Sequence, residues 1–141
     1  MANVIYDSFK YDSTSGAVVA PTDTFKAMLV TSAYTPATKT HAKRSDVTSE
    51  VTGTGYTAGG VTLASVTLTN DTTNDRTVFA SASISIPSAT ITARGMVIYK
   101  SRGGLATADN ICCYLDFVTD QTATNGTFAV TCPTAGWFNL S

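Results

Sequence analysis

The sequence predicts an all-β fold: a single-domain antiparallel β-sandwich or barrel-like fold with one long irregular loop. Threonine and serine contribute 39 of the 141 residues (26 Thr and 13 Ser), whereas glutamate occurs once, at Glu50. Threonine fits a half-exposed pleated surface, and a helical protein of this size needs many more glutamate, lysine, leucine and glutamine residues. Short segments rich in β-branched and aromatic residues recur between turn signals, and no stretch has the period of an amphipathic helix.

Ten strands are predicted in chain order from these segments. They cover residues 4–10, 17–20, 24–31, 61–69, 76–81, 83–86, 91–100, 110–119, 127–132 and 137–140. Successive residues of a strand face opposite sides of a sheet, so alternating apolar positions predict which side chains point inward. The inward sets are Phe25, Ala27 and Leu29, then Ile84 and Ile86, and finally Phe138 and Leu140. A dozen such side chains, each contributing about 1.5–3 kcal/mol, suffice for one domain over residues 1–141.

The connections between these strands carry their own signals. Within residues 61–69 the apolar positions shift from odd to even numbers, which predicts a β-bulge near Ala64 or Ser65. The pair Asn125-Gly126 predicts a tight hairpin between two strands.

The longest irregular segment, residues 32–60, has almost no apolar periodicity. Within it, SDVTSEV predicts one helical turn capped by Ser45. A loop of this length in a compact domain is usually functional or an arm toward a partner.

Composition also excludes classes of partner. Nine basic and ten acidic residues leave a net charge of −1, so no electrostatic field attracts nucleic acid or an anionic membrane leaflet. No apolar segment is long enough to span a bilayer, and the start MANVIYDSFKYD lacks the pattern of a secretory signal. The sequence therefore predicts neither a nucleic-acid nor a membrane partner, and a product that stays in the compartment where it is made.

One stretch, VTGTGYTAGG, matches the dinucleotide fingerprint G-x-G-x-x-G/A at Gly53, Gly55 and Ala58. That fingerprint requires a buried strand before it and a helix starting at its third small residue. The preceding segment THAKRSDVTSE is polar, and the following VTLASVTLTN reads as a strand. The glycines Gly53, Gly55, Gly59 and Gly60 are therefore expected to supply turns and close backbone approach, not a phosphate site.

Residues with catalytic potential are few. His41 is the single histidine and is expected to be a solvated loop residue, although a dyad of His41 with Cys112 is an alternative. Alternation along NICCYLDFVT and TFAVTC places Cys113 and Cys132 in the core and Cys112 on the opposite face. We therefore predict no catalytic residue and no enzyme activity.

Metal and cofactor sites are equally weakly indicated. Asp71 and Asp75 of NDTTND resemble a sparse calcium loop, but no glutamate follows at the required distance, and an Asx-stabilised hairpin turn explains the same residues. The three cysteines lack the C-x-x-C spacing of a zinc site. The sequence therefore predicts no metal site, no cofactor-binding residue and no cofactor.

Two further groups of side chains have open interpretations. Lys39, His41, Lys43 and Arg44 are either a contact for an acidic protein surface or part of a solvated loop. The tyrosines of the loops are either sugar-stacking or interface residues, with at least half of them covering the core. They are Tyr6, Tyr11, Tyr34 and Tyr56.

Three stretches together carry a resemblance to a known family: DTFKAMLVTSAYTP, EVTGTGYTAGG and ATITARGMVIYK. The chain resembles small virion structural proteins of tailed bacteriophages, and the similarity continues through LDFVTDQTATNG to GWFNLS. The resemblance implies a β-sandwich virion component in which the glycine-rich loop has no nucleotide role. Adjacent cysteines at Cys112 and Cys113 depart from the family's pattern and leave an exposed thiol of unassigned purpose.

Within that class, the resemblance favours a capsid decoration (cement) protein on the outer shell, assembled in the host cytoplasm. Its expected partners are the major capsid protein and further copies of itself, in a threefold oligomer. Residues 34–60 or the N-terminal arm would be the reaching elements. The alternative is a tail-associated module that binds host-surface carbohydrate through exposed tyrosines or Trp137.

Overall fold

The computed structural model describes residues 3–140, and within them it has eight strands, one α-helix and one turn of 3-10 helix. The strands are β1 Val4–Ile5, β2 Phe25–Val30, β3 Val61–Thr62, β4 Thr67–Asp71, β5 Arg76–Ala80, β6 Ile84–Lys100, β7 Asn110–Val130 and β8 Phe138–Leu140. Helix α1 covers Asp7–Ser15, and the 3-10 turn covers Arg44–Asp46.

The strands form two antiparallel sheets that pack face to face. The larger sheet has the order β1-β7-β6-β2-β3 and the smaller one the order β4-β5-β8. The main core lies between them, where Phe25 of β2 meets Phe79 of β5 edge-on at 5.0 Å and Phe79 stacks on Phe138 of β8 at 4.8 Å. The predicted all-β sandwich is confirmed, and the strands of residues 3–140 do not close into a barrel.

A second core covers the other face of the larger sheet. Its buried members are Tyr6, Met28, Val30, Tyr34, Val97, Tyr99, Ile111 and Tyr114. Tyr34 comes from the long loop, and the partly buried Val47 of the same loop packs against the cluster. This part of residues 32–60 therefore covers the sheet. Burial on both faces explains the unbroken apolar runs in β2 and near the C-terminal end of β6.

Helix α1 replaces the predicted strand over residues 4–10, of which only Val4–Ile5 pairs with β7. The helix begins with Asp7 in its first turn, and the Lys10 ammonium lies 3.0 Å from the Asp7 carboxylate. Phe9 anchors it, because this ring meets Phe138 edge-on at 5.3 Å in the main core. Tertiary packing of one aromatic side chain thus overrides a composition that is poor in helix formers.

Two other predicted strands differ from the observed ones. Residues 17–20 form no strand, although Val18 is buried in the main core. Residues 61–69 contain no bulge: β3 belongs to the larger sheet and β4 to the smaller one. The chain crosses between the sheets at residues 63–66, where Ser65 adopts a φ of +54°. The shift of apolar residues from odd to even positions therefore marks the point where the chain passes from one sheet to the other.

Four predicted strands merge into two long ones, β6 and β7. The predicted break between residues 86 and 91 is a bulge at Pro87 and Ser88, since Ile86 pairs with Phe128 and Ala89 with Gly126. The predicted hairpin at Asn125-Gly126 is likewise wrong. Asn125, at a φ of +48°, lies in a bulge inside β7, and pairing with β6 continues on both sides of it.

The inward-facing sets are largely confirmed. Five of the seven predicted side chains, those on β2 and β6, are buried in the main core, and so is Phe138, whereas Leu140 is half-buried against it. No helix within residues 3–140 has the length and apolar character needed to cross a membrane.

Candidate interaction surface

The glycine-rich loop is held against the sheet by one carboxylate. Glu50 accepts hydrogen bonds from the Tyr56 hydroxyl and from the Gly59 N–H, each at 2.7 Å. Tyr56 in turn accepts from the N–H of Leu29 at 3.0 Å, and the Tyr99 hydroxyl donates to the Gly59 carbonyl. The loop's polar groups are therefore bound to this network, and β3 follows the glycines where a nucleotide site requires a helix.

Two tyrosines of this network have raised pKa values. Burial raises the pKa of Tyr56 well above its usual range, and the hydrogen bond to Glu50 raises it further. Burial also raises the pKa of Tyr99 to about 12, against the lowering effect of the Arg44 guanidinium. Both hydroxyls are therefore protonated donors at neutral pH, which is the state that the network requires.

His41 is half-buried, so its prediction as a solvated loop residue is wrong. The N–H of Ala37 donates to His41 Nδ1 at 3.2 Å, which makes Nδ1 an acceptor. The Tyr34 hydroxyl, 2.9 Å away, must then donate to Nδ1, and the Tyr6 hydroxyl donates to Tyr34 at 2.7 Å. The imidazole also stacks on Tyr34 with centroids 5.7 Å apart, so it serves as a packing element of the second core.

The basic cluster of the long loop is not one patch. Arg44 Nε donates to a carboxylate oxygen of the buried Asp109 at 2.7 Å, and its guanidinium lies 5.2 Å from the centre of the Tyr99 ring. Lys39 is exposed, whereas His41 faces the second core. Arg44 therefore stabilises the fold and is not available to an acidic partner.

The predicted helical turn is present at Arg44–Asp46, but Ser45 does not cap it. Instead, the N–H groups of Ala42 and Lys43 both donate to Asp46 Oδ2 at 2.9 Å. These two backbone bonds hold the pKa of Asp46 below its usual range. The carboxylate fixes the path of the loop across the sheet.

A bulge reverses the prediction for the adjacent cysteines. Ile98 pairs with Cys113 and Tyr99 pairs with Ile111, which leaves Cys112 as an extra residue on β7. Cys112 and Cys113 therefore both point into the main core, whereas Ile111 points into the second core. The expectation of an exposed Cys112 on the opposite face is wrong, and that of a buried Cys113 is confirmed.

The remaining thiol and the proposed dyad also differ from expectation. Cys132 is half-buried and not interior. Burial raises the pKa of the Cys112 thiol far above its usual range, which disfavours the nucleophilic thiolate. Cys112 lies in the main core and His41 packs on the second, so the larger sheet separates them.

These positions predict the order of thiol reactivity. In the folded protein, Cys132 should react with a disulfide reagent such as DTNB at least about 100-fold faster than Cys112 or Cys113, because the buried thiols must await an opening of the fold. The time course of thiol release measures this, with a Cys132→Ser variant to assign the fast phase and denaturant to expose all three. A fast phase that persists in Cys132→Ser would contradict the burial of the pair.

The NDTTND segment is the hairpin turn between β4 and β5, as predicted. Asp71 accepts from the N–H of Asn74 at 3.3 Å and from its side-chain amide at 2.8 Å, and Arg76 Nε lies 3.0 Å away. The amide of Asn74, followed by Arg76, holds the pKa of Asp71 below its usual range. Within residues 3–140, no group of three or more His, Cys, Asp or Glu side chains is placed to hold a metal ion.

The aromatic residues considered for sugar stacking are mostly internal. Trp137 is only 4 % exposed, and its indole N–H donates to Ser81 Oγ at 2.7 Å. Tyr6 and Tyr34 are buried and Tyr56 is half-buried, which confirms that at least half of these tyrosines cover the core. Tyr11, on helix α1, is 75 % exposed.

A cavity of about 530 Å³ opens between β1, β7 and the segment before β8. Its described lining is mainly apolar, with contributions from Val4, Leu115, Phe117 and Trp137. Cys113 and Asp116 are its ionisable lining residues in the described part of the chain.

The most distinctive surface is formed by the part of the β6–β7 hairpin that extends beyond β2 and β1. We name this part, residues 84–93 and 121–130, the ribbon; it contains no charged residue. Its inner side carries Ile84, Ile86, Ile91 and Phe128 into the main core. Its outer side is the hydroxyl face, whose exposed members are Ser85, Thr90, Thr92, Thr122, Thr124 and Thr127.

The hydroxyl face is ordered by its own hydrogen bonds. The hydroxyls of Thr92 and Thr122 are 3.0 Å apart across the two strands. Thr90 Oγ1 accepts from the N–H of Asn125 at 3.0 Å, which holds the bulge to the neighbouring strand. A shallow depression of about 320 Å³ lies on this face and is bounded on one side by Glu50. The sequence shows that residues 84–93 and 121–130 carry no charge. It does not predict that four strands merge into two and bring these residues together on one surface.

Comparison with known proteins adds no relative: no family model matches the chain, and no curated protein and no solved structure is similar to it.

Proposed function

We propose that the chain is a virion structural protein of a tailed bacteriophage, of the capsid decoration (cement) type. In this proposal it binds the outer surface of the major capsid protein shell, bridges neighbouring capsomers and acts as a homo-oligomer. The observation that carries the proposal beyond the sequence resemblance is the hydroxyl face of the ribbon, an exposed, uncharged and internally ordered surface.

The chemistry of this face suits permanent contact with another protein. Burying a charged side chain in an interface carries a desolvation cost, whereas a hydroxyl can exchange its water for a protein partner. Rows of threonine on paired strands also have little side-chain freedom left to lose, because the branched side chain is already restricted. The apolar inner side of the ribbon keeps the face rigid.

Modest contacts are enough for this function. A decoration protein that buries about 800 Å² against each partner gains avidity from the oligomer and from repetition over the lattice. Such a protein resists the pressure of packaged DNA by mechanical bridging alone. The packing of the half-buried His41 on Tyr34 and the burial of two of the three cysteines are consistent with this non-enzymatic role.

Copy number in purified particles tests the location. Quantitative mass spectrometry of virions is expected to find hundreds of copies per particle, in proportion to the capsid lattice. A handful of copies would place the protein in the tail and support the carbohydrate-binding alternative. Absence from the particle would refute both.

Substitution on the hydroxyl face tests the contact itself. The double variant Thr92→Lys, Thr122→Lys introduces two charges where the face is uncharged, and its affinity for undecorated shells should fall more than about 10-fold. Thr107→Lys adds the same kind of charge at an exposed position in the connection between β6 and β7, and it should bind like the wild type. Co-sedimentation with shells measures both. Equal binding of all three proteins would show that the face is not the capsid contact.

A further inference from the structure

We propose that strand β4 is an association edge, and that it pairs antiparallel with β4 of a second copy of this chain to form a twofold dimer. β4 is the outer strand of the smaller sheet, and its free side faces away from β5. Four consecutive residues of this strand, Thr67, Leu68, Thr69 and Asn70, are exposed.

The other open edges in residues 3–140 are short or interrupted. β1 and β3 have two residues each and β8 has three. The outer edge of β6 in the ribbon is interrupted at Pro87 and Ser88, and Thr54 of the long loop already pairs with Thr90. The outer edge of β7 is interrupted by irregularities at Val118 and Asn125. Short strands, prolines and bulges are the devices by which proteins prevent edge-to-edge pairing.

β4 has none of these devices. Its pairing with β5 runs without a shift from Thr67 with Ala80 to Asp71 with Arg76. It contains no proline and no lysine. Alternate residues of such an edge direct their backbone N–H and C=O groups outward, and an extended strand is the group that satisfies them.

The sequence of β4 is compatible with itself. A twofold axis at Thr69 places this residue opposite Thr69 of the partner subunit, and threonine pairs across strands are favourable. The same register places Asp71 opposite Thr67 of the partner subunit, so like charges do not meet. The Asp71 carboxylate is moreover already paired with Arg76 at 3.0 Å within its own hairpin.

An apolar rim beside β4 favours a second copy of this chain, over a strand of unrelated sequence, as the partner of this edge. Leu68 and Val19, each 45 % exposed, line a groove of about 250 Å³ that continues into the core at Phe9. In the twofold register, Leu68 of the partner subunit lies diagonally across from Leu68 on the same face of the joined sheet. Pairing therefore covers both apolar rims at once.

This interface deepens the proposed function, on which its biological role rests, because it names the contact that builds the oligomer. Twofold pairing departs from the threefold assembly implied by the family resemblance. The association is a property of the isolated chain, whereas decoration is measured on shells, so either proposal can fail without the other.

The experiment is sedimentation equilibrium of the purified protein at about 100 μM, where about nine-tenths of the chains are paired if the Kd is about 1 μM. The expected mass is twice the chain mass of 14.7 kDa. Thr69→Lys, which places a charge at the centre of the edge, should sediment as a monomer that still unfolds in one cooperative transition, at a lower midpoint because it lacks the stabilisation by the partner subunit. Thr107→Lys is the matched control and should remain a dimer.

A second measurement does not depend on the behaviour of the lysine variant. Thr69→Cys in a Cys132→Ser background should form a disulfide-linked dimer on mild oxidation, whereas Thr127→Cys in the same background should not. A monomeric or trimeric wild type, a dimer that survives Thr69→Lys in folded form, or the absence of a Thr69→Cys crosslink would overturn the proposal.

Discussion

Gly60→Ala is expected to cost more than about 4 kcal/mol in the free energy of unfolding, a large part of the about 5–15 kcal/mol that a domain possesses. Gly60 has a φ of +90°, and a Cβ atom added there would meet the Ala27 carbonyl oxygen within 1.9 Å. Backbone in the middle of β2 cannot move aside, because β2 pairs with β6 on its other edge. Soluble yield and urea denaturation measure the loss.

Gly103→Ala is the matched control for this prediction. Gly103 also has a positive φ, +77°, but nothing lies within 4 Å of an added Cβ. Gly103→Ala should therefore lower the free energy of unfolding only by the conformational cost of the left-handed region, about 1–2 kcal/mol. Equal losses at the two positions would show that the close approach of the glycine-rich loop to β2 does not stabilise the fold.

Asp109→Ala is expected to destabilise the protein by about 3–5 kcal/mol, because it leaves the Arg44 guanidinium partly buried without its carboxylate. Asp109 is 1 % exposed and also accepts from the N–H of Arg102 at 2.8 Å, so a second donor loses its partner. The midpoint of urea denaturation at neutral pH measures the change.

The control is Asp7→Ala, which removes an exposed ion pair with Lys10 on helix α1. It should cost less than about 1 kcal/mol. The double variant Arg44→Ala, Asp109→Ala should lose less than the sum of its single variants, since neither charge is then stranded. Additive losses would mean that the two side chains do not act as a pair.

Much of the fold was predictable because threonine-rich alternation has few other solutions. The strands β2, β5 and β8 were predicted within two residues at either end, and their inward side chains follow from the two-residue period. The sandwich itself follows from apolar sets on many short strands. These features depend on local pattern alone.

The structure differs from the sequence predictions at places where a single residue decides how the chain turns or which side its neighbours face. A glycine after an asparagine is equally suited to a two-residue turn and to a bulge, and only the partner strand decides that Asn125-Gly126 is a bulge. The extra residue Cys112 in β7 likewise inverts the parity of its neighbours. Helix α1 depends on a place for Phe9 that the local sequence does not reveal.

The candidate surface was predictable only in part. The absence of charge in residues 121–130 is visible in the sequence, but its union with residues 84–93 depends on the pairing of β6 with β7. The open edge of β4 was hidden because β4 and β3 were predicted as one strand. His41 was misplaced because its partner Tyr34, seven residues earlier in the same loop, packs on the larger sheet, and the local sequence does not reveal that packing.

The packing of the long loop over the larger sheet decides where a foreign peptide could be inserted into this chain. Residues 32–60 look like a permissive insertion site by length, yet Tyr34 and Val51 are buried there and an insert would uncover the sheet. The connection between β6 and β7 is short but open, with free space at Gly103 and Gly104 and a Leu105 side chain that is 76 % exposed. Genetic fusions should therefore be tolerated between Gly103 and Gly104 and not in the longer loop.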